Sequence, residues 1–192
     1  MILHRVTAVL AAGLLASACS PAPASGSGEP PAQTPKVAPE PEAGPFLTPG
    51  GLGPIRIGMT EAEVRAAVGP NRLDGDTGDD FEGCKEMQLK GNLAGVWVML
   101  QEDEVTRITL GEGSTHKTDK GLGVGSSAAQ VRAAYGAALQ VEPHKYAGEG
   151  AEYLTVWTKP ETEGLRYETA QNGIVDTIHA GGGSIRYVEG CA

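Results

Sequence analysis

Residues 54–69 read PIRIGMTEAEVRAAVG and residues 121–136 read GLGVGSSAAQVRAAYG, so one local design is written twice in a chain of 192 residues. A duplicated segment constrains the fold more than any single motif, because each copy must find the same kind of neighbour to bury the same face. Both copies open with a hydroxyl followed three residues on by Glu or Gln: Thr60 with Glu63, and Ser127 with Gln130. That is the spacing of a capping box, in which the hydroxyl accepts the third helical N–H and the longer side chain reaches back to the cap's own N–H. Met59 and Val64 stand where a hydrophobic staple needs them. Val64, Ala67 and Val68, like Val131, Ala134 and Tyr135, recur at i, i+3, i+4 and give each helix one apolar stripe. Gly69 and Gly136 supply the turn past the helix end, and Pro70 blocks continuation. Helices of only about two to three turns are marginal alone and need a sheet to cover their stripe.

Strand-like runs follow each copy. Cys84–Lys90, Val96–Gln101 and Val105–Leu110 come after the first helix. Tyr153–Thr158, Leu165–Thr169, Ile174–His179 and a fourth run, Ser184–Val188, come after the second. Gln101, Val105 and Ile108 align with Gln171, Val175 and Ile178, so the last turns are cognate. Alternation over residues 106–110 predicts a sheet with one face in water. The expected fold is α+β: two repeats of a short helix followed by an antiparallel β-meander, over 51–115 and 116–192, with the sheets joined or packed together.

The first 50 residues are read as processing and spacing. Met1–Ala18 has a basic start at His4-Arg5, an apolar run from Val6 to Leu15 too short to span a membrane, and a small-residue site before Cys19. Leu15-Ala16-Ser17-Ala18-Cys19 resembles the lipobox of bacterial lipoproteins, with Ala16 where Leu is more usual. The resemblance implies lipidation of Cys19 (palmitate among the acyl groups) as the first mature residue. Ser20, in place of a retaining Asp, implies sorting to the outer membrane, with the domain facing the periplasm or the cell surface. Nine of the 13 prolines fall between Ser20 and Pro49, so 19–50 reads as a disordered Pro-rich tether. In polyproline form it reaches roughly 80–90 Å.

With Cys19 assigned to the anchor, Cys84 and Cys191 remain, and two such cysteines in an oxidising compartment are expected to bridge. The net charge is −9, and loss of Arg5 with the signal makes it more negative still. That balance argues against nucleic acid, which rewards Lys and Arg for displacing counterions, and against adhesion to anionic lipid.

Few side chains suggest chemistry. Asp74, Asp76, Asp79 and Asp80 crowd the loop 73–82, but calcium-loop spacing fails at Gly78, Asp79 and Lys85, and a polar turn explains the loop without a metal. His116, His144 and His179 show no zinc-type pairing. His144 is the best functional candidate of the three, since Lys145 and Tyr146 adjoin it in an expected surface loop. The folded part has neither G-x-S-x-G nor S-x-x-K, and Gly121–Gly125 lacks the order of a nucleotide-binding loop. No catalytic constellation, cofactor, metal or small-molecule substrate is therefore expected. Trp97 and Trp157 sit in apolar runs, and serve either as core under the helices or as anchors for a partner on an exposed face. The neighbours of Trp157 alternate, which makes it the more exposed of the two. Trp157, His144 and Tyr146 are the candidate partner-binding residues.

Gly58-Met59-Thr60, followed by Glu63-Val64 and Gly69, resembles the opening of the BamE-like (SmpA/OmlA) lipoprotein domain. The doubled helix-then-strands order is similar to the β-lactamase-inhibitory-protein family. The turn from Thr118 to Gly125 and the Glu189-Gly190-Cys191 end are similar, more loosely, to tandem-repeat lipoproteins of Gram-negative bacteria. These resemblances imply a non-catalytic protein-binding or scaffold module with an envelope protein partner in the periplasm. The alternative they imply is a proteinaceous inhibitor of a periplasmic or extracellular hydrolase. A hydrolase using His144 with an acidic partner is the third reading.

Overall fold

Two capped helices need a surface to lie on, and the chain supplies it as one broad sheet. In the computed structural model residues 45–70 and 82–191 are described. The segment 1–18, Cys19, the tether up to Gly44 and residues 73–81 of the acidic loop lie outside them. The elements run β1 (Leu47–Thr48), β2 (Gly51–Leu52), β3 (Ile55–Arg56), α1 (Glu61–Val68), β4 (Cys84–Gln88), β5 (Val96–Gln101), β6 (Glu104–Leu110), α2 (Ala128–Tyr135), β7 (Gln140–Pro143), β8 (Glu152–Lys159), β9 (Glu163–Thr169) and β10 (Val175–Gly181). Among the described residues the strands form two antiparallel sheets, one of three strands and one of seven ordered β4-β5-β6-β10-β9-β8-β7. The α+β class expected from the sequence is what the chain adopts, and the strands following both helices join in the larger sheet.

Both capping boxes close. Thr60 Oγ1 accepts from Glu63 N at 3.3 Å while Glu63 Oε2 accepts from Thr60 N at 2.8 Å. Ser127 Oγ accepts from Gln130 N at 3.2 Å and Gln130 Oε1 from Ser127 N at 2.8 Å. Each helix ends on a glycine of positive φ, Gly69 at 82° and Gly136 at 53°. Val64, Val68 and Val131 are the buried residues of the stripes. A backbone clasp fixes each helix entry: Gly58 N donates to Val105 O and Val105 N to Met59 O, each at 2.8 Å. Gly125 N donates to Val175 O and Val175 N to Ser126 O at the same 2.8 Å.

Directly opposed residues of antiparallel strands point to the same side, so the register sorts the seven strands into two faces. Met87, Val98, Ile108, Ala180, Leu165 and Val156 form one row, and Leu89, Val96, Leu110, Ile178, Tyr167 and Leu154 another, on the face packed with Val64 and Val131. Leu47, Leu52 and Ile55 of the small sheet are fully buried in the same cluster. This first face holds the core.

Three expectations need correction. The tether expected over 19–50 does not run to residue 50: Leu47–Thr48 is already strand, because a fully buried Leu47 ties the chain to Thr118 through a bridge and to Lys117 O through its N–H. Ser184–Val188 is not a strand: residues 183–186 form a 3₁₀ turn, since β10 already pairs with β6 and β9 and offers no free edge. The polar face of the sheet is not wet at its centre, where Thr155, Arg107, Arg166 and His179 are buried.

Candidate functional site

The second face is built from the alternate positions of the same strands. One row runs Gln140, Thr155, Arg166, His179, Thr109, Trp97 and Gln88 across the sheet, and a second runs Trp157, Gly164, Gly181, Arg107, Met99 and Glu86. Strand alternation would leave such residues in water. Instead Thr155 is 2 % exposed, Arg107 and Arg166 4 %, and His179 6 %.

Part of the cover is residues 183–191, a strap that leaves β10 and crosses the sheet. Ile185 is fully buried, and Ser184 Oγ donates to Thr106 O at 2.7 Å. Arg107 holds the strap from below, donating through Nη1 to Ser184 O at 3.3 Å and Tyr187 O at 3.0 Å, and through Nη2 to Glu86 at 2.7 Å. The strap ends at a Cys84–Cys191 disulfide, as expected, with Cα atoms 5.5 Å apart across 107 residues.

At the middle of the face a carboxylate joins two imidazoles. Glu168 Oε1 lies 3.3 Å from His179 Nε2, and Glu168 Oε2 lies 3.3 Å from His144 Nε2. His144 Nδ1 accepts from Tyr146 N at 3.1 Å and Ala147 N at 3.0 Å, which places the ring proton on Nε2, donating to Glu168. His179 Nδ1 is 2.9 Å from Thr109 Oγ1, so both nitrogens of this ring are engaged as well. Burial between Arg107 and Arg166 holds the His179 imidazole below its ordinary pKa, against the pull of Glu168. Burial opposes ionisation of Glu168 too, but the hydrogen bond from His179 and the nearby positive charge outweigh it, and its carboxyl sits below the usual range.

Arg166 is the anomaly. Its Nε is buried without a hydrogen-bond partner among the described residues, and Glu142 and Glu168 stand 3.8 Å away, beyond bonding distance. Its guanidinium lies 3.7 Å from the Tyr153 ring centroid, and His144 stacks on that ring at 4.2 Å. Thr155 Oγ1, next to it in register, is buried and unpartnered as well.

The expected partner-binding residues divide. Tyr146 is 58 % exposed and donates through its hydroxyl to Glu189 on the strap. His144 is not in an open loop; its side chain is 13 % exposed, because Tyr153 and Glu168 enclose it. Trp157 and Trp97 fall in the same half-buried range. Each lies over a glycine, Gly164 of β9 under Trp157 and Gly111, just past the end of β6, under Trp97. Neither packs under the helices, since both project from the second face. Arg107, Arg166 and Glu168 escaped the sequence reading: each is an ordinary polar residue in an alternating strand until the register brings them together. Among the described residues no three His, Cys, Asp or Glu are placed to hold a metal ion, and no helix is long and apolar enough to cross a membrane. Comparisons with family models, curated proteins and solved structures found no match for this chain.

Proposed function

We propose that this chain is a non-catalytic envelope lipoprotein, anchored in the outer membrane through Cys19, whose folded part docks a protein partner on the second face of the sheet. The carrying observation is the placement of the tryptophans. Trp157 on β8 and Trp97 on β5 are both half-buried on that face, four strand spacings apart, roughly 19 Å, with the Arg166–His179–Thr109 row between them. Partly exposed Trp beside Arg is the composition that anchors protein interfaces. The histidines support holding over turnover, because a general base needs a free nitrogen and both rings are fully engaged.

The two halves are read as one helix-then-meander unit used twice. Support comes from the paired capping boxes, the matching clasps at Val105 and Val175, and the β6–β10 register. There Ile108 faces Ala180 and Leu110 faces Ile178, so a pseudo-twofold axis passes between Thr109 and His179. In-cell crosslinking followed by affinity capture from membranes tests the docking role. Capture of a reproducible envelope protein is expected, reduced at least tenfold by Trp97→Ala with Trp157→Ala. Capture unaffected by that pair moves the docking site elsewhere, and recovery of no partner sinks the reading. Cys19→Ser is expected to release the chain from the membrane fraction, and retention there would remove the anchor.

A further inference from the structure

The strap is fastened in an uneven way. Its first part is tight: Ile185 is fully buried and Ser184 is bonded to Thr106. Its second part is more open: Tyr187 is 46 % and Val188 37 % exposed, held by Arg107 at the Tyr187 carbonyl and by Tyr146 at Glu189, and a cavity of about 470 Å³ opens beside them, reaching Cys84, Gln101 and Lys145. Beyond that opening Cys191 is pinned to Cys84. The strap leaves β10 through Gly182 and Gly183. Neither has a left-handed φ, and a Cβ added at either would meet nothing closer than 3.4 Å, so close approach does not demand glycine there. What two such glycines supply is backbone freedom at the root of the strap. Gly181 differs: a Cβ there would stand 2.2 Å from Thr106 O, so it belongs to the packed sheet.

Beneath the strap lies a groove whose donors are made for a chain. Arg107 gives two hydrogen bonds to strap carbonyls and one to Glu86, while its Nε and the Nε of Arg166 remain buried and unpaired. Opened to water, those donors would be solvated, and an empty dry groove would strand them. Another extended segment with acceptors would not.

We propose that residues 183–191 are a redox-latched strap over a latent docking groove. With Cys84–Cys191 reduced, the strap swings out about Gly182–Gly183 and the groove takes an extended segment of a partner protein. That segment carries a branched apolar side chain in the place of Ile185 and a carboxylate or carbonyls for Arg107. The proposal rests on the docking role and adds what controls it. The reductant is a protein dithiol: one thiolate attacks a sulfur of the bridge and expels the other as a thiol after protonation. The second thiol then resolves the mixed disulfide, leaving two cysteines here and one disulfide on the reductant.

Hydrogen exchange on the full chain, oxidised, reduced, and carrying Cys84→Ser with Cys191→Ser, tests the latch. Exchange at Ile185 and Tyr187 is expected to rise at least tenfold more than exchange in β6 and β10 in the reduced and variant chains. Unchanged strap protection overturns the latch, and an equal fall in protection at the strap and across the whole sheet overturns it as well, because the bridge then holds the fold and not a strap. The groove is tested with a synthetic peptide of residues 183–191 carrying Cys191→Ser. It is expected to bind the double variant at least tenfold more tightly than the oxidised chain, and to lose that preference with Arg107→Ala. Absence of the preference removes the groove. Disulfide-linked dimers on reoxidation would assign the groove to a second copy and overturn the partner. If membrane partners are captured equally by oxidised and reduced chains, the docking role stands and the latch falls.

Discussion

The first face of the seven-stranded sheet is buried throughout and the second at its centre, for opposite reasons. On the first face Ile108, Ile178, Tyr167 and Leu154 are fully buried in one apolar cluster with the helix stripes. Removing that surface from water is favourable in itself, at about 25 cal/mol per Å². On the second face Arg107, Arg166 and His179 are nearly as inaccessible, yet each carries a desolvation cost that hydrogen bonds only partly offset. Apolar residues there would serve stability as well or better. Helices cover the first face and a strap crosses the second, and it is to the second, with its costly buried arginines, histidine and glutamate, that the proposed docking role assigns recognition.

The largest effect expected is on the strap's tether. Cys84→Ser with Cys191→Ser removes a cross-link spanning 107 residues. The chain-entropy model gives about 4–5 kcal/mol lost, read from urea unfolding. A loss below about 1 kcal/mol would mean that the unfolded chain is not restrained by the bridge. Next comes the first face. Ile178→Ala empties a fully buried site among apolar neighbours and is expected to lower stability by about 3–4 kcal/mol. Strap exchange should not rise selectively, so the comparison of faces breaks if Ile178→Ala loosens residues 183–191 first.

Acid separates the faces without any mutation. His179 is kept neutral in the fold by burial between Arg107 and Arg166, whereas the unfolded imidazole titrates near 6.5. The unfolded state therefore binds more protons below that value. Stability from this site is present above 6.5 and declines as pH drops through that value toward the lowered folded one. Glu168 acts lower on the scale. Its folded carboxyl titrates below the ordinary value of 4.5, so its contribution is present above 4.5 and is lost as pH falls through the lowered value. Unfolding followed from about pH 7 to 5 should show the slope, and His179→Gln should flatten it. An unchanged slope in that variant would place the titrating group elsewhere.

The first face was largely legible in the sequence and the second was not. Thr60 with Glu63 and Ser127 with Gln130 announce helix starts because capping is local chemistry, and runs such as Val96–Gln101 announce strands by residue type. The Cys84–Cys191 pairing followed from counting. Short elements carry no period: β1, β2 and β3 are two residues each, and β7 is four with a proline at its end. Ser184–Val188 alternates like a strand, yet whether it pairs depends on a free edge, and that is a property of the assembled sheet. The same limit hid the site. His144 meets Glu168 across 24 residues and Thr109 meets His179 across 70, contacts that exist only once β10 has zipped between β6 and β9.

The smallest expected effect gives the finest test of the division. Thr60→Ala and Ser127→Ala each remove a hydroxyl that accepts an N–H at the start of a first-face helix, while the Glu63 and Gln130 arms remain. Each should lower stability by about 1 kcal/mol. The two losses should agree closely, since the boxes have the same bonds and the clasps behind them the same 2.8 Å lengths. One difference separates the entries. Ala128 N donates to the backbone of Gly173, whereas Glu61 N donates to the side chain of Asp103, a residue held at φ 65°. Asp103→Gly should therefore relieve a left-handed backbone while deleting an acceptor at α1, two small effects of opposite sign. Gly173 admits no such exchange, as any side chain there adds strain at φ 71° with no acceptor to lose. If Thr60→Ala proves much costlier than Ser127→Ala, the two helix entries are not equivalent, and the idea of one unit used twice weakens where its sequence evidence is strongest.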